Sequence, residues 1–341
     1  MKINKTELLK ALEKVKPGLA SKEIVEQSTS FAFMDGRIVT YNDEISISHT
    51  IGAVGIEGAV QAKELYQFLN RAEADTIEIE QDDNEIKLSA GKAKAGVTLK
   101  QEIKLPLDEL GEFTEWITLP PEFIMALDFC RFSCSKDMSA PVFTCVHVNA
   151  RKGVVESTDS CRITRHKIKK SRIPAFLLPA SSAHDLVRYG ITEVAQSPGW
   201  MHFRTADKKI IFSCRIFADN FPDIGRFLEI EGQSITLPKT LLPVLDRASV
   251  FAQRDYDADE IIQVELAKNA ITISANSTAG WFKEELEIKY NEAPIKFITN
   301  PKFLQDMLSK IEDCIIGEAA IKFTGPNWEH AVVLPAANET A

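Results

Sequence analysis

Apolar residues recur three and four positions apart in six short segments of the chain, the spacing that gathers them on one face of an α-helix. The segments are NKTELLKALEKV from Asn4, QAKELYQFLNRA from Gln61, PEFIMALDFCRF from Pro121, SSAHDLVRYG from Ser181, KTLLPVLDRASVF from Lys239 and NPKFLQDMLSKI from Asn300. One apolar pair marks each: Leu9/Leu12, Tyr66/Leu69, Ile124/Leu127, Ala183/Leu186, Leu242/Leu245 and Leu304/Met307. Successive first members lie 57, 58, 59, 59 and 62 residues apart, which predicts a repeated supersecondary unit. Three helices share an entry signal, ITLPPEF, FLLPASS and ITLPKTL, in which Leu-Pro ends a strand. Proline suits that place because its missing N–H has no helical partner there.

Between the helices the pattern changes to strict alternation, the signature of half-buried strands. TIEIEQDDNEIKLSA and IIQVELAKNAITISA read as hairpins, and KKIIFSCRIF and AAIKFTGPNWEHAVVL follow the same rule. At twice the helix spacing, GRIVTYNDEISISHTI from Gly36, GVVESTDSCRITRHKI from Gly153 and NAITISANSTAGWFKEEL from Asn269 each run strand, polar turn, strand. The expectation is an α+β chain of three domains, 1–115, 116–227 and 228–341, each made of two helix-plus-sheet halves.

Composition narrows the function. With 45% hydrophobic and 26% charged residues over 341 positions, the chain is an ordinary globular one with enough apolar material for a large core. No apolar run reaches the ~20 residues of a membrane span, and MKINKTELLKALEKVK is too charged for a signal peptide, so a cytoplasmic protein without membrane contact is expected. Six cysteines without a Cys-x-x-Cys pair argue against zinc or a disulfide framework. A net charge of −9 weighs against a uniformly basic surface but leaves room for one basic face.

Four stretches carry a family resemblance. They are the opening MKINKTELLKALEKV, STDSCRI (Ser157 to Ile163), NFPDIGRF from Asn220, and AVVLP (Ala331 to Pro335). In that order and spacing the sequence resembles the bacterial sliding clamps, the beta subunits of DNA polymerase III, over essentially its whole length. The resemblance implies three tandem clamp-type domains that pair head to tail into a dimeric ring around double-stranded DNA. It implies no catalytic residue, metal or cofactor. It implies as partners a second copy of the chain, and the polymerase III alpha subunit and clamp loader through short linear peptides.

A ring around duplex DNA needs inward cations, because the duplex carries about one phosphate per ~1.7 Å of axis. On helical wheels Lys10 and Lys14 fall opposite the Leu8/Leu9/Leu12/Val15 stripe, and Lys63, Gln67 and Arg71 opposite Leu65/Leu69. Arg188, Lys239, Arg247 and Lys302 likewise fall away from the apolar stripes of their segments. Lys22 matches a DNA-contacting loop position of the family. The third helix departs, presenting Met125, Phe129 and Phe132 opposite Ile124/Leu127.

For the partner peptide the resemblance implies a groove built from Phe143, Thr158, Ser160, Cys161, Arg162, Ile163, Pro222, Arg226, Phe227, Asn300, Phe303, Val332, Leu334 and Pro335. Apolar walls would take Leu and Phe anchors, and Arg162 and Arg226 would meet polar or acidic groups of the peptide. Ser160 and Cys161 stand where the family has glycine and histidine, and Phe227 is bulkier than the usual aliphatic residue. For ring closure, position implies the strand through Ala95, Val97 and Leu99 on one chain and Val250 and Phe251 on the other. Ala95 replaces a large aromatic, which predicts a comparatively weak dimer.

Other chemistries fare worse. Asp159, Ser160 and Cys161 with His147 or His166 could suggest a thiol nucleophile, but no strand-to-helix elbow or glycine-rich oxyanion loop surrounds them. Cys130 and Cys134, one helical turn apart, lack further ligands at metal spacing, and no nucleotide-binding glycine motif occurs. The alternative to a DNA clamp is a clamp-like scaffold that binds proteins and encircles DNA weakly.

Overall fold

The computed structural model describes residues 1–52, 54–253 and 260–335; the last positions of the expected third domain, 336–341, lie outside the described residues. Each apolar stripe becomes a helix: α1 (Lys5–Val15), α2 (Ala62–Arg71), α3 (Phe123–Cys130), α4 (Ala180–Leu186), α5 (Leu242–Ala252) and α6 (Pro301–Leu308). A strand runs into each of α1, α2, α4 and α6, and a short turn intervenes before α3 and α5. Local chemistry sets the starts. The Asn4 Oδ1 accepts the Glu7 N–H at 3.1 Å, and the Asn300 Oδ1 accepts the Lys302 N–H at 2.8 Å with Pro301 opening the helix. The buried faces are those the periodicity marks, such as Leu8, Ala11, Leu12 and Val15 on α1. Each fully buried leucine contributes roughly 1.5–3 kcal/mol of apolar burial.

The chain forms two compact units. The first comprises Met1–Arg131, Cys145–Gly153 and Lys169–Asp219. It holds a twelve-stranded antiparallel sheet that runs without a break through the position of the expected first boundary. The join is Ile45–Thr50 against Ile210–Arg215, with Ile47 opposite Phe212 and Ile45 opposite Cys214. The segment leading past residue 110 is tied to this sheet by a buried histidine. The His202 ring lies between the hydroxyls of Ser197 and Ser213, each at 2.8 Å, and stacks on Phe113 at 3.7 Å. The Ser197 hydroxyl donates to the Leu110 carbonyl, so it accepts from His202 Nε2–H.

The second unit comprises Phe132–Thr144, Val154–Ile168 and the chain from Asn220 onward. In it, Val154–Thr158, Arg162–Lys167, Trp328–Val333, Ala320–Thr324, Asp313–Ile316 and Gln233–Thr236 neighbour one another in that order. A separate four-stranded sheet runs Gly280–Glu287, Ala270–Ser277, Ile262–Ala267 and Ile295–Thr299, with α5 packed on it.

Among the described residues two long strands, Ala93–Lys100 in the first unit and Gly280–Glu287 in the second, each leave an edge largely open. Ala93–Lys100 pairs along its length with Glu85–Ala90, but on its other side only Leu99 and Lys100 pair, with Val60 and Ala59. Gly280–Glu287 pairs only with Ala270–Ser277. Open edges of this kind invite another strand.

Candidate nucleic-acid and peptide interfaces

In the first unit Lys10, Lys14, Lys22, Lys63 and Arg71 are exposed, and none forms an ion pair among the described residues. Arg188 is exposed just beyond α4 and donates to the His184 ring, with Asp185 at 3.7 Å. The Tyr189 hydroxyl donates to the Lys14 carbonyl at 2.6 Å and so brings Arg188 to the end of α1. In the second unit Lys239 is exposed and its side chain has no ion pair among the described residues, but Arg247 forks onto Glu284 at 2.6 and 3.0 Å, and Lys302 lies 3.3 Å from Asp306. Those two cations already have carboxylate partners within their own chain.

The third helix differs from its expected pattern at one position. Met125 is exposed on α3, whereas Phe132 lies beyond the helix end and belongs to the second unit. There it stacks on His330, with centroids 5.4 Å apart, and lies under the Arg162 guanidinium at 5.3 Å.

All fourteen candidate groove residues fall in the second unit, but the strand register divides them. Ile163 opposes Ala331 on one sheet face, where it packs with Ile224 and Leu228 and with half-buried Phe221. Arg162 opposes Val332 on the other face, together with Phe303 at 4.5 Å. Ile163, Thr158, Asn300, Val332 and Leu334 are buried, Asn300 as the cap of α6. Phe143 and Phe303 are half-buried, and Ser160, Cys161, Pro222, Arg226, Phe227 and Pro335 are exposed. The Arg226 guanidinium covers the Phe227 ring at 4.7 Å, so these two form one cationic-aromatic surface.

Arg162 faces its own chain. It donates to Asp159 (2.8 Å), Asp306 (3.0 Å) and the Phe132 carbonyl (2.7 Å), between two aromatic rings. Asp159 also accepts the backbone N–H groups of Cys161 (3.0 Å) and Arg162 (2.9 Å), which shapes the turn. A thiol dyad with His166 is thereby unsupported, because five strand residues separate it from Cys161 by about 16 Å. The His166 Nδ1 is at 2.8 Å from the Lys167 carbonyl.

The same turn holds Ser160 at φ 75°, the left-handed region that favours glycine. Ser160→Gly is expected to raise unfolding free energy by about 1 kcal/mol, read as a higher urea midpoint with an unchanged slope. A lower midpoint would mean that the serine hydroxyl compensates the strain.

Beneath this surface the Thr164 hydroxyl bonds Ser133 at 2.6 Å and His330 Nδ1 at 2.8 Å, all three groups buried. Burial, with Arg162 and Lys310 nearby, pushes His330 down to about 3, and burial pushes His202 down to about 4. Both histidines fold neutral and become protonated only when unfolded. Stability is therefore full above pH 6.5 and falls as pH drops toward 4, by up to roughly 1.4 kcal/mol per pH unit for each. Urea titrations at pH 7.5, 5.5 and 4.5 check this, and His202→Gln should flatten the acid limb.

No protein-family model and no curated protein matches the sequence. Solved structures do. The beta subunit from DNA polymerase of Streptococcus pyogenes is similar at 20% identity with a TM-score of 0.84, covering 98% of this chain and 99% of that one. The chain has the sliding-clamp fold. The DNA polymerase III beta chain of Streptococcus pneumoniae TIGR4 (19% identity, TM-score 0.83, coverage 98% and 99%) and the Bacillus subtilis DNA polymerase sliding clamp (19%, 0.82, 98% of each) share it. No helix among the described residues is long and apolar enough to cross a membrane.

Within this fold, the open edges sharpen the residues expected at ring closure. Val97 and Leu99 are buried in their own unit, so only the backbone of their strand, with the half-buried Ala95, is available there. Phe251 stacks on Phe282, 6.1 Å away, and thus has a partner in its own chain, while Val250 is exposed. Trp281 is 73% exposed on the edge strand Gly280–Glu287.

Proposed function

We propose that this protein is a processivity clamp, a non-catalytic ring that encircles duplex DNA and tethers the replicative polymerase. The supporting observation is full-length agreement with sliding-clamp structures, together with exposed, unpaired cations on α1 and α2. Each chain would contribute three domains, 1–115, 116–227 and 228–341, and two chains would close head to tail through the open strand edges. The polymerase alpha subunit and the loader would bind by short peptides at the exposed surface of Cys161, Arg226, Phe227 and Pro335. Such a protein works in the cytoplasm and needs no cofactor.

Loading onto nicked circular DNA and then linearising the circle tests this reading. A topological clamp stays on the circle in high salt and slides off once the ends are free. Changing Lys10, Lys14, Lys63, Arg71 and Arg188 together to glutamate should weaken retention at low salt by orders of magnitude while leaving the fold intact, whereas single changes do little. A second reading, a peptide-binding scaffold with weak encirclement, is favoured by the internal pairing of Arg247 and Lys302. It predicts peptide binding without retention on circles.

A further inference from the structure

Between α1 and the strand ends at Thr50 and Lys209 lies a notch of about 330 Å³. Its floor is apolar, with Leu8, Ala11, Ile51 and Val54. Its rim carries Lys10 and Lys14, one helical turn apart, and Lys209 from the neighbouring hairpin, where the Lys209 carbonyl accepts the Thr50 N–H at 2.8 Å. None of these lysines has an ion pair among the described residues. The acids nearby are Glu7 on the rim and Asp207, and Asp207 is occupied by the Thr205 hydroxyl (2.5 Å) and the Lys209 N–H (3.1 Å). His49 also lines the notch. Its ring is bonded to the Ala11 backbone, and its buried Nδ1 has no hydrogen-bond partner among the described residues.

We propose that this notch seats one sugar–phosphate unit of a DNA strand, with Lys10, Lys14 and Lys209 on the phosphate and the deoxyribose on the apolar floor. The inference rests on the clamp reading and adds to it a contact from outside the helices. Three lysines without ion pairs among the described residues, two of them partly offset by the nearby Asp207 carboxylate, surround a half-enclosed space and concentrate positive potential. A free phosphate would leave the floor unused, whereas a nucleic-acid backbone alternates an apolar sugar with an anion. The orphan Nδ1 fits the same occupant. Burial first, with Lys14 and Lys209 beside it, holds His49 below the usual imidazole range, against the opposite pull of the Ala11 backbone and Asp207. A phosphate among them shifts that balance toward the protonated ring and gives a proton on Nδ1 an acceptor.

The test is binding of a linear duplex of about 20 base pairs to full-length protein across a salt series. Each phosphate contact contributes ~0.9 to the log–log salt slope, so Lys209→Ala should lower the slope by about that amount. The neighbouring control Lys208→Asn, which suits the left-handed backbone there, should not. His49 ring resonances should move toward the protonated form on adding duplex. An unchanged slope in Lys209→Ala, with the parent binding normally, overturns the seat. So does a His49 response that inorganic phosphate produces in full and duplex does not, which would assign the notch to a free anion. Retention on circles in high salt depends on ring closure, so the control Lys208→Asn should keep it. Loss of retention by the parent strikes the clamp reading, and the salt slope still judges the notch.

Discussion

Trp281→Asp is expected to convert a dimer of this chain into monomers and to abolish its retention on circular DNA. Trp281 projects from Gly280–Glu287, the open edge strand of its sheet, and is 73% exposed. An isolated edge with an exposed indole is costly to keep unless another surface covers it. A tryptophan covered at an interface removes about 150–250 Å² from water, which at ~25 cal/mol per Å² is roughly 4 kcal/mol. Losing that, and leaving a carboxylate in its place, should weaken each contact by about a thousandfold. Folding should survive because the indole is mostly exposed in its own unit. Phe251→Asp lacks that virtue, since Phe251 stacks on Phe282 and its loss would disturb the end of α5. Sedimentation over a concentration series decides the matter, and a Trp281→Asp protein that stays dimeric at low micromolar concentration removes this strand from the interface.

What the sequence disclosed was local. Helix stripes such as Leu8/Leu12/Val15 and hairpins such as Thr76–Gln81 with Glu85–Ala90 are fixed by periodicity and turn chemistry, and they stand where the pattern puts them. Long-range partners leave no such trace. Nothing near Ile45–Thr50 announces its pairing with Ile210–Arg215, and nothing near Arg162 announces Asp306, 144 residues away. The candidate site was legible as a set of positions but not as a surface. Strand alternation divides Arg162 from Ile163, and Val332 is buried. Lys209 and Trp281 lie in strands and turns, where a helical wheel has no means of marking them.

Arg162 carries the second large effect. Its side chain is 11% exposed, bonded to two carboxylates and a carbonyl and flanked by Phe132 and Phe303. Alanine there removes the guanidinium from Asp159 and Asp306, at 15% and 22% exposure, leaving Asp159 only backbone N–H groups and Asp306 only Lys302 among the described residues, and empties the space between two rings. Removing one partner of a buried pair costs about 3–5 kcal/mol, and partial exposure of the acids brings the expectation to roughly 3. For a unit of this size that is a fall of about 6–12 °C in Tm. Arg162→Lys keeps the charge but not the planar fork, and should recover only part of the loss. Arg226, exposed over Phe227, should behave oppositely. Arg226→Ala should leave Tm unchanged and weaken binding of an acidic peptide with Leu and Phe anchors several-fold. Calorimetry and peptide anisotropy on both variants separate the roles. If Arg162→Ala kept its Tm and lost the peptide, the guanidinium would belong to the partner surface instead of the interior. If both variants lost only stability, the exposed cation over Phe227 would have no peptide to meet, and the groove would have to lie elsewhere on the unit.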